Sequence, residues 1–308
     1  MIQSPWGGLP ISDAHVHFFS HRFFAALAQQ KNVEASALGP MLAWQLPSLE
    51  PASLADNWVA ELDRYGVDRA VLIASVPHDE ASVQTAVDAH PRRFHGYAMV
   101  NPALPEAAEG LRLTLIAGHL HGVCLFPAMH RFSMHDERVT ALLEVVAQRP
   151  GTVVFVHCGV LSVGVRTKLG LPSLFDMRYS NPIDLHEAVL RYPSIKFVVP
   201  HFGAGYFRET LMLADLCPNV YLDTSSSNQW MRYQDGLDLR VVFRRALDVI
   251  GAHRLLFGTD SSFFPRGWNV AVFQEQSKAL YEIGLEADEA RLIFHDNLES
   301  LFTPPKIA

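Results

Sequence analysis

The chain has 308 residues, 49% of them hydrophobic and 19% charged, which is enough apolar content for a large core and too little charge for a disordered polypeptide. A formal net charge of -7, with no run of Lys or Arg, argues against nucleic acid or an anionic membrane as a partner. Three cysteines form no C-x-x-C pair, "MIQSPWGGLP" lacks the basic and apolar segments of a secretion signal, and no apolar run nears the roughly 20 residues of a membrane span, so a reduced, cytoplasmic protein is expected.

The first strand is expected over 9–17, "LPISDAHVH", with Asp13, His15 and His17 at alternate positions. An extended strand would send all three to one face, where burial is costly unless something pairs with them. An irregular stretch, 18–52, follows. The next helix is expected over 53–66, with Leu54, Trp58, Leu62 and Tyr65 on one face, Ser53 as its N-cap and Gly66 as its stop. Strands are then expected at 69–75, 93–100 and 121–126. The stretch 137–148 puts Val139, Leu142, Leu143 and Val146 on one helical face. Strands at 152–158, 195–201, 220–225 and 254–260 complete the series, with a second irregular region at 159–182. Runs apolar on both faces, such as 152–156 and 195–199, suit the parallel strands of a covered sheet.

Eight strands alternating with helices imply an α/β chain folded as a single (β/α)8 TIM barrel over residues 1–308; an open doubly wound sheet is the alternative. Both long irregular regions follow strand C-termini, the end at which barrel active sites sit, so they read as loop insertions on that face.

Five polar residues end apolar runs at that same face: His15 and His17 on the first strand, His157 on the fifth, His201 on the sixth and Asp260 on the eighth. Any one of them alone reads as a hydrogen-bonded core residue. Converging on one rim, they share a single answer, one divalent metal ion. Neutral imidazoles and a carboxylate suit zinc first, with manganese or iron as alternatives. His15 and His17 supply two ligands from one strand, and His157 and Asp260 two more from across the barrel.

In this order "DAHVH", "FVHCG", "VVPHFGAG" and "FGTD" resemble the amidohydrolase superfamily, in particular the amidohydrolase-related branch that contains aminocarboxymuconate-semialdehyde decarboxylase and γ-resorcylate decarboxylase. The resemblance spans nearly the whole chain, including "PRRFHGYAMVNP" and the closing "NLESLF". It implies that His15, His17, His157 and Asp260 hold the metal and that His201 sits beside the reacting water; it also suggests a homodimer. One departure stands out. Many relatives carry a bridging lysine on the fourth strand in a context like "GVKLHP", whereas this chain has "GVCLFP", with Cys124 in the lysine's place. One metal rather than two is therefore expected. Cys124 is either a small buried hydrophobe or, as a thiolate, an extra ligand.

In such a site Asp260 takes the proton of a metal-activated water and returns it to the leaving group, while His201 orients the water or stabilises negative charge. The expected activity is hydrolysis of a small, carboxylate-bearing substrate; non-oxidative decarboxylation on the same ion is the alternative. Arg166 and Arg178, in the loop after the fifth strand, suit a carboxylate, and Trp230 suits a pocket wall. His130, His135 and His78 are lesser candidates, and His90, His119 and His253 read as structural. A NAD-dependent oxidoreductase is a remote alternative, because Gly203-x-Gly205 and Asp223 imitate a dinucleotide fingerprint but Arg208 stands where its third glycine belongs. A binding protein that keeps a relic metal site is the non-enzymatic reading.

Overall fold

In the computed structural model, residues 2–226 and 228–303 are described. Strands β1 (Ser12–Phe18), β2 (Arg69–Ala74), β3 (Phe94–Met99), β4 (Gly122–Leu125), β5 (Val153–Val156), β6 (Lys196–Val199), β7 (Val220–Asp223) and β8 (Leu255–Leu256) pair in chain order, every pair parallel. That order excludes the doubly wound alternative, whose strand order reverses part-way. β8 is only two residues long, yet the sheet closes beyond it. Ala14 N–H donates to the Phe257 carbonyl (2.8 Å), Asp260 N–H to that of His15 (3.0 Å) and His17 N–H to that of Ser261 (2.7 Å). The result is a TIM barrel.

The strands are buried on both faces because helices cover the outside, as the continuous Val, Ile and Leu runs require. The helix Pro51–Tyr65 places Leu54, Trp58 and Leu62 in that layer and ends at Gly66, whose φ of +72° is the left-handed stop glycine allows. Its start differs from expectation. Pro51 occupies the first turn, Glu50 is the N-cap residue, and Ser53 lies inside, because proline's fixed φ is already helical and its missing N–H is not needed there.

The segment 18–52 is not irregular. It contains the helix His21–Lys31, capped by the Ser20 hydroxyl accepting from Phe23 N–H and stopped by Asn32 at φ +57°, and a short helix Leu38–Leu42. Phe23, Phe24, Leu27, Leu38 and Leu42 form a second small core with Val165 and Leu169 from the loop after β5. The two insertions therefore pack on each other at the mouth of the barrel. No helix among the described residues is long and apolar enough to cross a membrane.

Candidate metal centre

Past the ends of the strands the chain turns sharply, and those turns aim the polar residues. His201 and Asp260 both have left-handed backbones, at φ +54° and +56°. For residues other than glycine this conformation costs on the order of 1–3 kcal/mol and is retained where the surroundings enforce it. The expected strands overran the observed ones at these turns, because His201 and Asp260 lie just beyond their ladders, on the rim; His157 also lies past its ladder, without a left-handed backbone.

Three donors converge. His15 Nε2 and His17 Nε2 are 3.4 Å apart, and Asp260 Oδ1 is 3.7 Å from the first and 3.4 Å from the second. Ligands held tetrahedrally at about 2.0–2.1 Å from zinc are themselves about 3.3–3.4 Å apart, so this triangle has the size of one face of such a site. The far nitrogens are tied back: His15 Nδ1 donates to Asp223 Oδ2 at 2.6 Å, and His17 Nδ1 pairs with the Ser75 hydroxyl at 3.0 Å. A proton held on Nδ1 leaves the Nε2 lone pair facing the other donors, the tautomer a ligand needs.

Without an ion, the four side chains are pushed in two directions. Burial lowers the pKa of His17 and of His157 well below the usual imidazole value, and neighbouring histidines lower them further, so both are neutral. Burial would lower His15 too, but the charge and hydrogen bond of Asp223, with Asp260 and Asp13, outweigh it and leave the value raised. For Asp260, burial dominates over the attraction of His15, His201 and Arg266, and its pKa is raised.

His157 stands just outside the triangle. Its ring lies 5.6 Å from that of Phe126 and 5.3 Å from that of His201, and its Nδ1 is buried without a hydrogen-bond partner. An imidazole nitrogen left bare in a buried site beside three converging donors fits a further ligand to the same ion. His201 is buried, donates from Nδ1 to the Ser225 carbonyl (3.2 Å) and contacts that residue's hydroxyl (3.0 Å). The same hydroxyl lies 3.0 Å from His15 Nδ1, so Ser225 links the two rings.

Asp13 does not join the histidines. The β1–β2 register shifts between Asp13 and Val16, and its carboxylate accepts instead from Thr259 N–H (3.1 Å) and hydroxyl (2.5 Å), Trp268 Nε1 (2.8 Å) and His15 N–H (2.9 Å). Burial pushes its pKa up to about 6 despite these bonds. Asp223, which the sequence offered only as an imitation of a dinucleotide motif, is the residue that was overlooked. An acidic residue ending the apolar β7, "VYLD", was the available signal. Gly203 of that imitation serves packing, since a Cβ there would come within 1.9 Å of Thr210 Oγ1, and Gly205 serves a left-handed backbone at φ +105°.

The centre opens into a cavity of about 1130 Å³, lined by His17, His157, His201 and Asp260 below and by both insertions above. Arg166 lines it but bonds the Pro172 carbonyl and Gln30. Arg178 is not among the lining residues; it is 81% exposed and paired with Asp176. Trp230 is buried and forms part of the wall, with Nε1 unpartnered among the described residues. Cys124 is fully buried on β4 between Met99 and Phe155 and lies outside the donor triangle; burial pushes its thiol pKa well up. His130 lines the cavity with its pKa pushed down to about 4 by burial, whereas His78 and His135 are exposed beside Glu106 and Glu187.

The family described as Amidohydrolase matches residues 12–302. The chain belongs to the amidohydrolase family. Among solved structures, this amidohydrolase barrel is similar to a probable 2-pyrone-4,6-dicarboxylic acid hydrolase from Acinetobacter baumannii with citric acid bound (17% identity, TM-score 0.60, covering 96% of this chain and 99% of that one). It is equally similar to the 5-carboxyvanillate decarboxylase of Novosphingobium aromaticivorans with bound manganese (17% identity, TM-score 0.60, covering 98% and 99%). Likenesses at this identity describe the fold. The curated protein fluG of Emericella nidulans is 37% identical over 86 residues, which span 28% of this chain and only 10% of that protein.

One prediction belongs to Asp223. Asp223→Asn removes the negative charge beside His15 and turns one of the two acceptor oxygens, which take His15 Nδ1–H and Ser225 N–H, into an N–H donor, without opening a cavity. Metal affinity, measured by competition with a chelator, is expected to fall about 10–100-fold; an unchanged affinity would show that Asp223 does not orient the ligand.

Proposed function

We propose that the chain is a hydrolase dependent on one divalent ion, zinc before manganese or iron, that acts on a small carboxylate-bearing substrate. The observation that carries this reading is the triangle of His15, His17 and Asp260 donors, with spacings of 3.4–3.7 Å, at the floor of a cavity of about 1130 Å³. Those three residues would hold the ion, with His157 as a fourth donor. When bound, such an ion lowers the pKa of a water from 15.7 towards about 7 and polarises a substrate carbonyl.

The remaining work falls to the chain. Asp260, whose carboxylate lies at the centre, takes the proton of the attacking water and passes it to the leaving group. His201, with its Nδ1 proton committed to Ser225, presents Nε2 as an acceptor that orients the water. The cavity's cations favour a carboxylate, and the aromatic wall excludes bulk water.

A second reading is decarboxylation, favoured by the same cations, since a carboxylate held against them is also poised to leave as CO₂. The likeness to both a hydrolase and a decarboxylase supports keeping it. Incubating zinc-loaded protein with lactones, amides and aromatic or unsaturated acids decides. Consumption with uptake of water and no CO₂ supports hydrolysis, CO₂ release supports the second reading, and a zinc-replete protein inert to the whole set overturns both.

A further inference from the structure

We propose that the last turn of the chain, Glu299–Phe302, is an acid-released stopper of the barrel's N-terminal end, with His95 and His121 as its two sensors. The device lies at the opposite end of the strands from the metal centre and does not depend on what that centre does.

The residues that meet there stand at strand starts. Ser12, Arg69 and Lys196 open β1, β2 and β6, His95 is the second residue of β3, and His121 directly precedes β4. In a TIM barrel this end holds the fold together while the chemistry sits at the other. Phe302 follows the closing helix Asn297–Leu301 and enters the opening. Its ring stacks on His95 with centroids 3.9 Å apart, meets His121 edge-on at 5.5 Å and lies 6.1 Å from Tyr97. Two polar grips flank it. Glu299 accepts from Arg69 Nη1 (2.5 Å) and from the Ser12 hydroxyl (3.1 Å), and Lys196 Nζ donates to the carbonyls of Ser300 (2.8 Å) and Leu301 (2.7 Å).

Neither imidazole has a good place for a second proton while Phe302 is seated. Arg69 Nη1 donates to His95 Nε2 (3.3 Å), so that ring carries its one proton on Nδ1, which is buried without a hydrogen-bond partner among the described residues. A second proton would enter at Nε2, against a guanidinium held by Glu299 and the Arg92 carbonyl. His121, 4.5 Å from His95 between centroids, receives the Gly96 N–H at its Nδ1 (3.5 Å), where its own second proton would go. The charged and titratable groups facing the pair are Arg69 from β2, Arg149 from the turn before β5, His119 from the turn before β4, and Glu299 from the closing helix. Glu299 pairs with Arg69 and with neither histidine among the described residues, so the surroundings are cationic. Burial, His121 and Arg69 push the pKa of His95 down to about 2, and burial, Arg149, Arg69 and His119 push that of His121 down to about 4. Imidazoles in water titrate near about 6.5. Both groups therefore favour the seated turn above that pH, and the advantage is lost as pH falls towards the seated values. In that window release takes up two protons, and its equilibrium constant rises up to about a hundredfold per pH unit.

Hydrogen exchange read by mass spectrometry on the full chain tests this, with each rate normalised to that of the unfolded chain at the same pH. Working between about pH 7 and about pH 5 keeps Glu299 ionised, since a free glutamate titrates near about 4.3. The segment 297–303 is expected to lose protection steeply with acid, at a slope approaching two protons, while β2 and β4 keep theirs. His95→Phe preserves the stacked ring without the titrating nitrogen, and His121→Gln removes the second sensor. Each should cut the slope to about tenfold per pH unit, and the double variant should flatten it. Protection of the segment that does not change with pH in the wild-type chain overturns the device. So does loss of protection in β2 and β4 in step with the segment, or a full slope in both single variants. Should His95→Phe fail to fold, His121→Gln carries the comparison, and an undiminished slope in it refutes the two-sensor reading.

Discussion

Asp260→Asn is expected to release the metal and abolish turnover while leaving the barrel folded. Asparagine matches aspartate in size and tolerates the left-handed backbone at residue 260, where φ is +56°. The N–H that closes the barrel onto the His15 carbonyl is also unaffected. What goes is the one negative charge in the donor triangle and the base that accepts the proton. Adjusting a group that only orients a ligand costs about 10–100-fold in affinity, so removing a ligand's charge should cost more than about 100-fold, and turnover about a thousandfold or more. Metal analysis of the purified variant together with its initial rate checks this. His15→Ala, which removes a neutral donor, should lose the metal as well. Full metal occupancy in either variant would contradict the assignment of the triangle.

His201→Asn should behave in the opposite way, keeping the metal and losing the rate. His201 is outside the triangle, with its ring 5.1 Å from that of His15, and its Nδ1 proton is spent on Ser225. An asparagine amide can remake that bond but has no basic nitrogen to offer a water. Loss of a positioned proton acceptor costs about 10²–10⁴ in rate. The measurement pairs metal stoichiometry with turnover on one preparation. A metal-free His201→Asn would make His201 a ligand and reopen the question of how many ions the centre holds.

The barrel was legible because its signals are local and repeated. Each strand is a short β-branched or apolar run, and the run lengths exclude anything but a sheet covered on both faces. The converging residues were legible for a related reason: a polar side chain at the end of such a run has no use in the core. Features that depend on contacts between distant segments were not legible. Nothing near Asp223 announces that its partner is His15, 208 positions earlier. Nothing in "ISDAHVH" shows that a register shift would separate Asp13 from the histidines, since alternation presumes an unbroken ladder. The helix His21–Lys31 is a different kind of miss. Its signals, Ser20 ahead of Phe23, Phe24, Leu27 and Ala28, were present in the sequence but lay inside a stretch taken as loop.

The seam at Asp13 has a consequence for biosynthesis. Its bonds to Thr259 bridge 246 positions, and the donor triangle straddles the same seam, two histidines from the first strand meeting an aspartate from just past the last. A nascent chain emerging from the ribosome cannot assemble the donor triangle until Asp260 has been made, so a product truncated before that residue lacks the full donor set. The ion would then act as a late clasp, drawing the two ends of the fold together and making its own availability a determinant of how long the finished barrel survives.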